Sequence, residues 1–109
     1  MARATRIVNT VADEQPTTGV QHPDVTIGST VAVVGELNER TSRVYMMTEG
    51  GDVRVTYDGR DPSNASGSEV GQLFFDGAIF DVNAATANAM KFIEAVAGTS
   101  VLMRVTEFE

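Results

Sequence analysis

The sequence has no cysteine, no tryptophan, a single lysine and a single histidine among its 109 residues. Without cysteine the chain forms no disulfide, holds no metal through thiolates and has no cysteine nucleophile. The lone histidine excludes a cluster of histidine metal ligands. We assign this residue, His22, to a solvated loop rather than to catalysis, because a catalytic imidazole requires a rigid scaffold. The sequence contains neither the G-x-x-x-x-G-K-[ST] motif nor the G-x-G-x-x-G motif, the two glycine-rich loops that bind phosphate groups. We therefore predict a protein that is not an enzyme and carries no metal or cofactor.

Positive charge and long apolar runs are also scarce. The formal net charge is −7, and the few arginines are scattered, whereas nucleic-acid-binding proteins cluster their basic residues. This pattern disfavours nucleic acid and anionic membranes as partners. The first residues lead into no apolar run of signal-peptide type, and no run has the roughly 20 residues that span a bilayer. We expect a protein that stays in the cytoplasm where it is made, or is assembled there.

The chain divides into a polar N-terminal arm, residues 1–28, and a domain, residues 29–109. The arm has few large apolar side chains, and Pro16 and Pro23 interrupt regular pairing. Within it, Thr5–Val11 alternates as an edge strand does. Two interpretations stay open, namely a frayed terminus and an arm that becomes ordered on a neighbouring subunit. The apolar side chains of this stretch are Ile7, Val8 and Val11.

From Ser29 onward the apolar residues recur with the period of two that half-buried strands show. Tight turns are predicted at Gly50-Gly51, Asp76-Gly77 and Gly98-Thr99, each joining two strands as a hairpin. Asn83 is predicted to cap a short helix over 84–90. Short strands with turns roughly every 8 to 12 residues indicate an all-β, immunoglobulin-like antiparallel β-sandwich with at most one short helix. The predicted strands are Thr30–Val34, Arg43–Thr48, Asp52–Tyr57, Val70–Phe75, Ala78–Val82, Phe92–Val96 and Val101–Phe108.

The stretch from Val53 to Ser63 predicts a strand that runs into a stiff loop. Alternation places Val53, Val55 and Tyr57 toward the core. In the loop, Asp58 and Asp61 are candidates for acid–base chemistry, for calcium and for turn formation, and we favour turn formation because aspartate side chains accept hydrogen bonds from nearby backbone N–H groups.

This stretch resembles the "YTxDGxDPT" strand-and-loop signature of small immunoglobulin-like β domains, including those appended to chitobiase-type glycosidases. Here it reads Val-Thr-Tyr-Asp-Gly-Arg-Asp-Pro-Ser. The wider pattern over residues 43–108 is similar to small virion structural proteins of tailed bacteriophages, with a hairpin, this loop, a polar Ser/Gly stretch, a strand pair, a helix-like piece and two final strands.

The phage resemblance implies a capsid decoration, or cement, protein in the virion, assembled in the host bacterial cytoplasm. Its expected partners are the major capsid protein or other virion proteins and further copies of itself, as a trimer at lattice three-fold axes. A head-to-tail connector or fibre-base component and a carbohydrate-binding module are the alternatives; the inward assignment of Tyr57 argues against the module. The predicted contact residues are Ile7, Val8 and Val11 in the arm and Asp58, Arg60 and Asp61 in the loop.

Overall fold

The computed structural model describes residues 19–109, which fold as two antiparallel β-sheets packed face to face. The prediction of an all-β antiparallel sandwich with at most one short helix is confirmed. The elements are β1 (Gly19–Ile27), β2 (Arg43–Glu49), β3 (Val53–Thr56), β4 (Gln72–Phe74), β5 (Ile79–Asn83), α1 (Ala84–Ala89), β6 (Lys91–Glu94) and β7 (Val101–Phe108). One sheet has the order β1-β7-β2-β5 and the other the order β4-β3-β6.

The core lies between the two sheets and is filled by alternate residues of each strand. On β7, Val101, Met103 and Val105 are fully buried, while the residues between them face outward. Three phenylalanine rings interlock the sheets, because Phe80 of the four-stranded sheet packs between Phe74 and Phe92 of the other. The ring centroids are 4.9 and 5.9 Å apart in edge-to-face arrangement, a favoured geometry for aromatic pairs.

The three predicted hairpins are wrong as strand pairs, although the turns themselves are present. Gly50, Gly77 and Gly98 all have positive φ, as the turn chemistry requires. Yet each turn leads from one sheet to the other: β2 to β3, β4 to β5, and β6 to β7. The physical reason is that a glycine turn reverses the chain locally, whereas strand pairing is decided by long-range packing of the two sheets. We call these three turns the crossovers.

The crossovers are tied to one another by hydrogen bonds. The Gly50 N–H donates to Asp76 Oδ1 at 3.0 Å, and the Asp76 N–H donates to Asp52 Oδ1 at 2.8 Å. The Ala95 N–H donates to the Asp52 carbonyl at 2.9 Å. These bonds satisfy backbone donors at the turns and hold all three crossovers together.

The boundary between arm and domain differs from the prediction at residue 28. Residues 19–27 form β1, which pairs with β7 from Gly19↔Phe108 to Ile27↔Val101. Pro23 is accommodated because β1 is an edge strand and the register shifts between His22 and Val25. The predicted strand Thr5–Val11 lies outside the described residues.

The predicted buried strand Thr30–Val34 is also wrong. Only Ala32 pairs, as an isolated bridge with Phe92, and Val33 is exposed while Val34 is buried. A β-branched run favours a strand only where a neighbouring strand offers a continuous ladder, and here the segment touches β6 at one bridge.

By contrast, the predicted helix cap is confirmed: Asn83 Oδ1 accepts a 2.8 Å hydrogen bond from the Thr86 N–H at the start of α1.

Glu94 holds the third crossover through a buried carboxylate. Its Oε1 accepts a hydrogen bond from the Ser100 N–H and its Oε2 one from the Gly98 N–H, both at 2.9 Å. These hydrogen bonds lower the pKa of the Glu94 carboxyl, and the bond from Ser100 has the largest effect. Burial acts in the opposite direction. Ser100 has a φ of 54°, which non-glycine residues seldom adopt, so the carboxylate stabilises a strained turn.

Acid is therefore expected to weaken the fold through Glu94. Because its pKa is lowered in the folded state, its contribution is present above the unfolded-state value of 4.5 and is lost as pH falls through the lower folded value. Replacing Glu94→Gln should reduce stability at neutral pH and flatten the loss of stability below about pH 5. Urea unfolding at a series of pH values measures both effects. The exposed Glu39→Gln variant is the control, and parallel pH profiles for Glu94→Gln and the unmodified chain would contradict the assignment.

Candidate functional site

The predicted loop after β3 is present and is fixed by its own polar groups. Asp58 Oδ1 accepts a 3.1 Å hydrogen bond from the Arg60 N–H, which confirms the predicted Asx-type turn. The Arg60 guanidinium lies 3.5 Å from Asp58 Oδ2, and the Thr56 hydroxyl donates to the Arg60 carbonyl. Pro62, which closes the loop, is buried. The loop is thus a defined surface feature anchored at both ends.

Asp61 has a different role from the one predicted, because its partner is a side chain. Its Oδ1 lies 2.9 Å from Lys91 Nζ of β6, the single lysine of the chain. The structure therefore brings Asp58, Arg60 and Asp61 together in one loop, with side chains 62%, 71% and 70% exposed. We call this trio the charged loop. The other predicted contact residues, Ile7, Val8 and Val11, lie outside the described residues.

Tyr57 was predicted to face the core and instead is 41% exposed. The alternation ends because β3 stops at Thr56, which is itself buried. The ring borders an open cleft of about 310 Å³ beside the charged loop. Partial burial raises the pKa of the Tyr57 hydroxyl. The residues around the cleft include Val55, Tyr57, Asp58, Arg60 and Gln72.

A larger open groove, of about 700 Å³, runs beside β1 and contains His22 and Glu107. The prediction of a solvated His22 is wrong, since the ring is buried. Its Nδ1 lies 2.8 Å from the Pro23 carbonyl and its Nε2 lies 3.1 Å from the Glu36 carbonyl. Both ring nitrogens thus face backbone acceptors, and the ring secures the segment before β2 to β1.

Glu107 secures the same segment from β7. Its Oε1 accepts hydrogen bonds from the Asn38 N–H at 2.8 Å and from the Thr41 hydroxyl at 2.6 Å, and its Oε2 lies 4.0 Å from His22 Nε2. Sequence reasoning missed this residue. The sequence pattern could have indicated that Glu107 faces inward, because this residue continues the inward alternation of Val101, Met103 and Val105.

Large apolar side chains are exposed where β4 meets β5. Leu73, Phe75 and Ile79 are 37%, 71% and 56% exposed. All three lie within seven positions of the sequence, on or between two strands that are edges of their sheets. Phe74 and Phe80 beside them point into the core, so Leu73 and Ile79 project from the outer faces of opposite sheets, and each side chain can gain from burial against a partner. We call Leu73, Phe75 and Ile79 the apolar edge.

In residues 19–109 no three His, Asp or Glu side chains are grouped as metal ligands. No helix in that range is long and apolar enough to cross a membrane.

No protein-family model matches this chain, and no curated protein matches it. Among solved structures it is similar to a chain described by the words "Bacillus endospore appendages form a novel family of disulfide-linked pili". The match has 15% sequence identity and a TM-score of 0.37, and it covers 91% of this chain and 95% of that one. A similarity of this degree identifies neither the family nor the function of the protein.

Proposed function

We propose that the protein is a non-enzymatic virion structural protein of a tailed bacteriophage that binds the capsid surface and reinforces the head. The observation that carries the proposal is the charged loop. The wider sequence pattern that resembles small virion proteins includes this loop, and its three charged side chains project into solvent from an anchored backbone. Charged side chains set in a fixed geometry suit recognition of a complementary protein surface.

The proposed mechanism is burial of surface against neighbours. A stable interface buries about 1,600 Å² in total, and the charged loop alone is too small to supply this area. The apolar edge adds large exposed side chains that gain from burial. Repetition over a symmetric shell multiplies weak single contacts, because each additional contact forms at high effective concentration.

Binding to phage heads tests this function. We expect the purified chain to sediment with empty heads, and the double variant Arg60→Ala, Asp61→Ala to bind about five- to thirtyfold more weakly, since rim and loop charges contribute roughly 1–2 kcal/mol together. The matched control is Arg40→Ala, which removes an arginine that is 76% exposed in another loop. Equal binding by both variants would show that the charged loop makes no contact, and failure of the unmodified chain to bind heads would exclude the decoration role.

A carbohydrate-binding module is the second candidate, and the exposure of Tyr57 favours it. Sugars stack on aromatic rings and bond to neighbouring polar groups, and here an exposed ring borders a cleft with Asp58, Arg60 and Gln72. The head-binding assay is therefore run beside a glycan array. A glycan signal that Tyr57→Ala removes, together with no head binding, would select this function instead of decoration.

A further inference from the structure

The four edge strands of the described sandwich differ in how well they are protected from pairing with another chain. Unprotected edges add strands from other molecules, and proteins usually block them with proline, lysine, bulges, short length or covering segments. In β1 the edge carries Pro23 and a register shift. β6 is covered by the 28–32 segment, through the Ala32 bridge to Phe92 and the bond from the Glu94 N–H to the Gly28 carbonyl. β4 has only three residues.

β5 is the edge without such protection. It has five residues, with neither proline nor lysine, and among residues 19–109 no strand pairs with its outer side. Ile79 at its start belongs to the apolar edge. Its one charged residue, Asp81, is acidic, and Arg43 of β2 lies 2.7 Å from its Oδ1. The β5 edge therefore combines an open backbone with apolar surface, while Arg43 offsets the charge of Asp81.

The sequence contains a segment that is complementary to this edge. Residues 5–11 alternate as a strand does, and residues 1–11 include Arg3 and Arg6 but no acidic residue. The chain as a whole has a net charge of −7, so a basic stretch is attracted to the acidic body. A seven-residue strand is long enough to cover the five residues of β5.

The topology favours a neighbouring copy over the same copy as the acceptor. The N-terminal segment leads into β1, and β1 and β5 are the opposite edges of the four-stranded sheet, about 14 Å apart at the usual strand spacing. Within one copy, the segment would have to cross the width of that sheet to reach β5. A neighbour placed beside β1 offers its β5 edge directly, and head-to-tail contacts of this kind form a ring, such as a trimer, where the rotation between copies closes.

We propose that residues 5–11 of one copy add as a strand to the β5 edge of a neighbouring copy, with Arg3 and Arg6 attracted to the net negative charge of that copy. Backbone hydrogen bonds to β5 supply the affinity, and burial of Ile79 with the alternating apolar residues of the segment supplies the specificity. This inference rests on the proposed assembly function, which it deepens by naming the contact between copies.

The absence of cysteine from the chain allows a direct test. Full chains carrying Val8→Cys are mixed with tagged full chains carrying Ile79→Cys and treated with a short bifunctional thiol crosslinker that tolerates small differences in register. We expect a crosslinked heterodimer, at least about tenfold more abundant than the product with Val20→Cys, whose site is similarly exposed on the β1 edge. Equal yields would overturn the proposal.

The double variant Val8→Cys, Ile79→Cys distinguishes the two acceptors, because crosslinking inside single chains at high dilution would place the segment on its own sheet and overturn the proposal.

Hydrogen exchange on the unmodified chain adds a readout that needs no substitution. Protection of the β5 amides is expected to rise with protein concentration, and constant protection would count against the contact. The head-binding assay separates the two proposals: heads bound without the crosslink would overturn the strand addition alone, and the crosslink without head binding would overturn only the decoration role.

Discussion

Replacing Phe92 by alanine is expected to lower the free energy of unfolding by about 3–5 kcal/mol, the usual cost of removing a fully buried phenylalanine ring. Phe92 has no exposed surface. Its ring meets Phe80 of the opposite sheet edge-to-face, so the substitution leaves a cavity between the two layers. Chemical unfolding followed by circular dichroism measures the loss.

The matched control for this prediction is Phe75→Ala, which removes the same ring from a position that is 71% exposed. It should change stability by no more than about 0.5 kcal/mol. Because domains of this size have only about 5–15 kcal/mol of stability, the Phe92 variant should also be less abundant when expressed. Equal effects at the two positions would mean that the packing of Phe92 against Phe80 does not hold the sheets together.

Replacing Glu107 by alanine is expected to cost about 1–3 kcal/mol, because it leaves the Asn38 N–H and the Thr41 hydroxyl without their acceptor. His22 also loses its nearest carboxylate. The segment between β1 and β2 should then open more often than the rest of the fold. Hydrogen exchange at Asn38 reports that local opening, and urea unfolding reports the global loss.

Glu109→Ala is the control for Glu107, since it removes a carboxylate two residues along the same chain. Its side chain is 57% exposed and lies 3.9 Å from the Arg40 guanidinium, an exposed pair that contributes little. If both variants are equally stable, the buried hydrogen bonds of Glu107 do not fasten the segment.

Features set by a few neighbouring residues could be predicted from the sequence. Asn83 caps its helix, and Asp58 accepts a hydrogen bond from a backbone N–H two residues later, as their local chemistry indicates. The alternation in Val101–Phe108 likewise marks a strand with one buried face. The cap and the turn depend on contacts within a few positions, and the alternation of β7 shows which face of the strand is apolar before its partners are known.

Pairing partners could not be predicted in the same way. Gly50-Gly51 has the same turn chemistry whether the next strand pairs beside β2 or crosses to the other sheet. The outcome depends on residues far along the chain, since β2 takes β5 and β7 as neighbours. The positions where strands end could not be predicted from the sequence either. The alternation in Val53, Val55 and Tyr57 continues past Thr56, where the structure turns away and exposes the tyrosine.

The same difference between local and long-range contacts explains why only part of the candidate site could be predicted from the sequence. The charged loop follows from local chemistry, and its three side chains do lie together on the surface. The apolar edge was missed because its exposure arises from two strands that border different sheets. In sequence, the apolar run around Phe75 is equally consistent with a buried hairpin.

The position of β7 has a consequence for how the molecule is made. β7 lies between β1 and β2, yet it is synthesised after both of them. During translation β1 must wait for its partner while the intervening strands emerge, and pairings between such distant segments form slowly. Until Val101–Phe108 has left the ribosome, the nascent chain therefore carries an unmatched strand, a state in which chaperones would bind it.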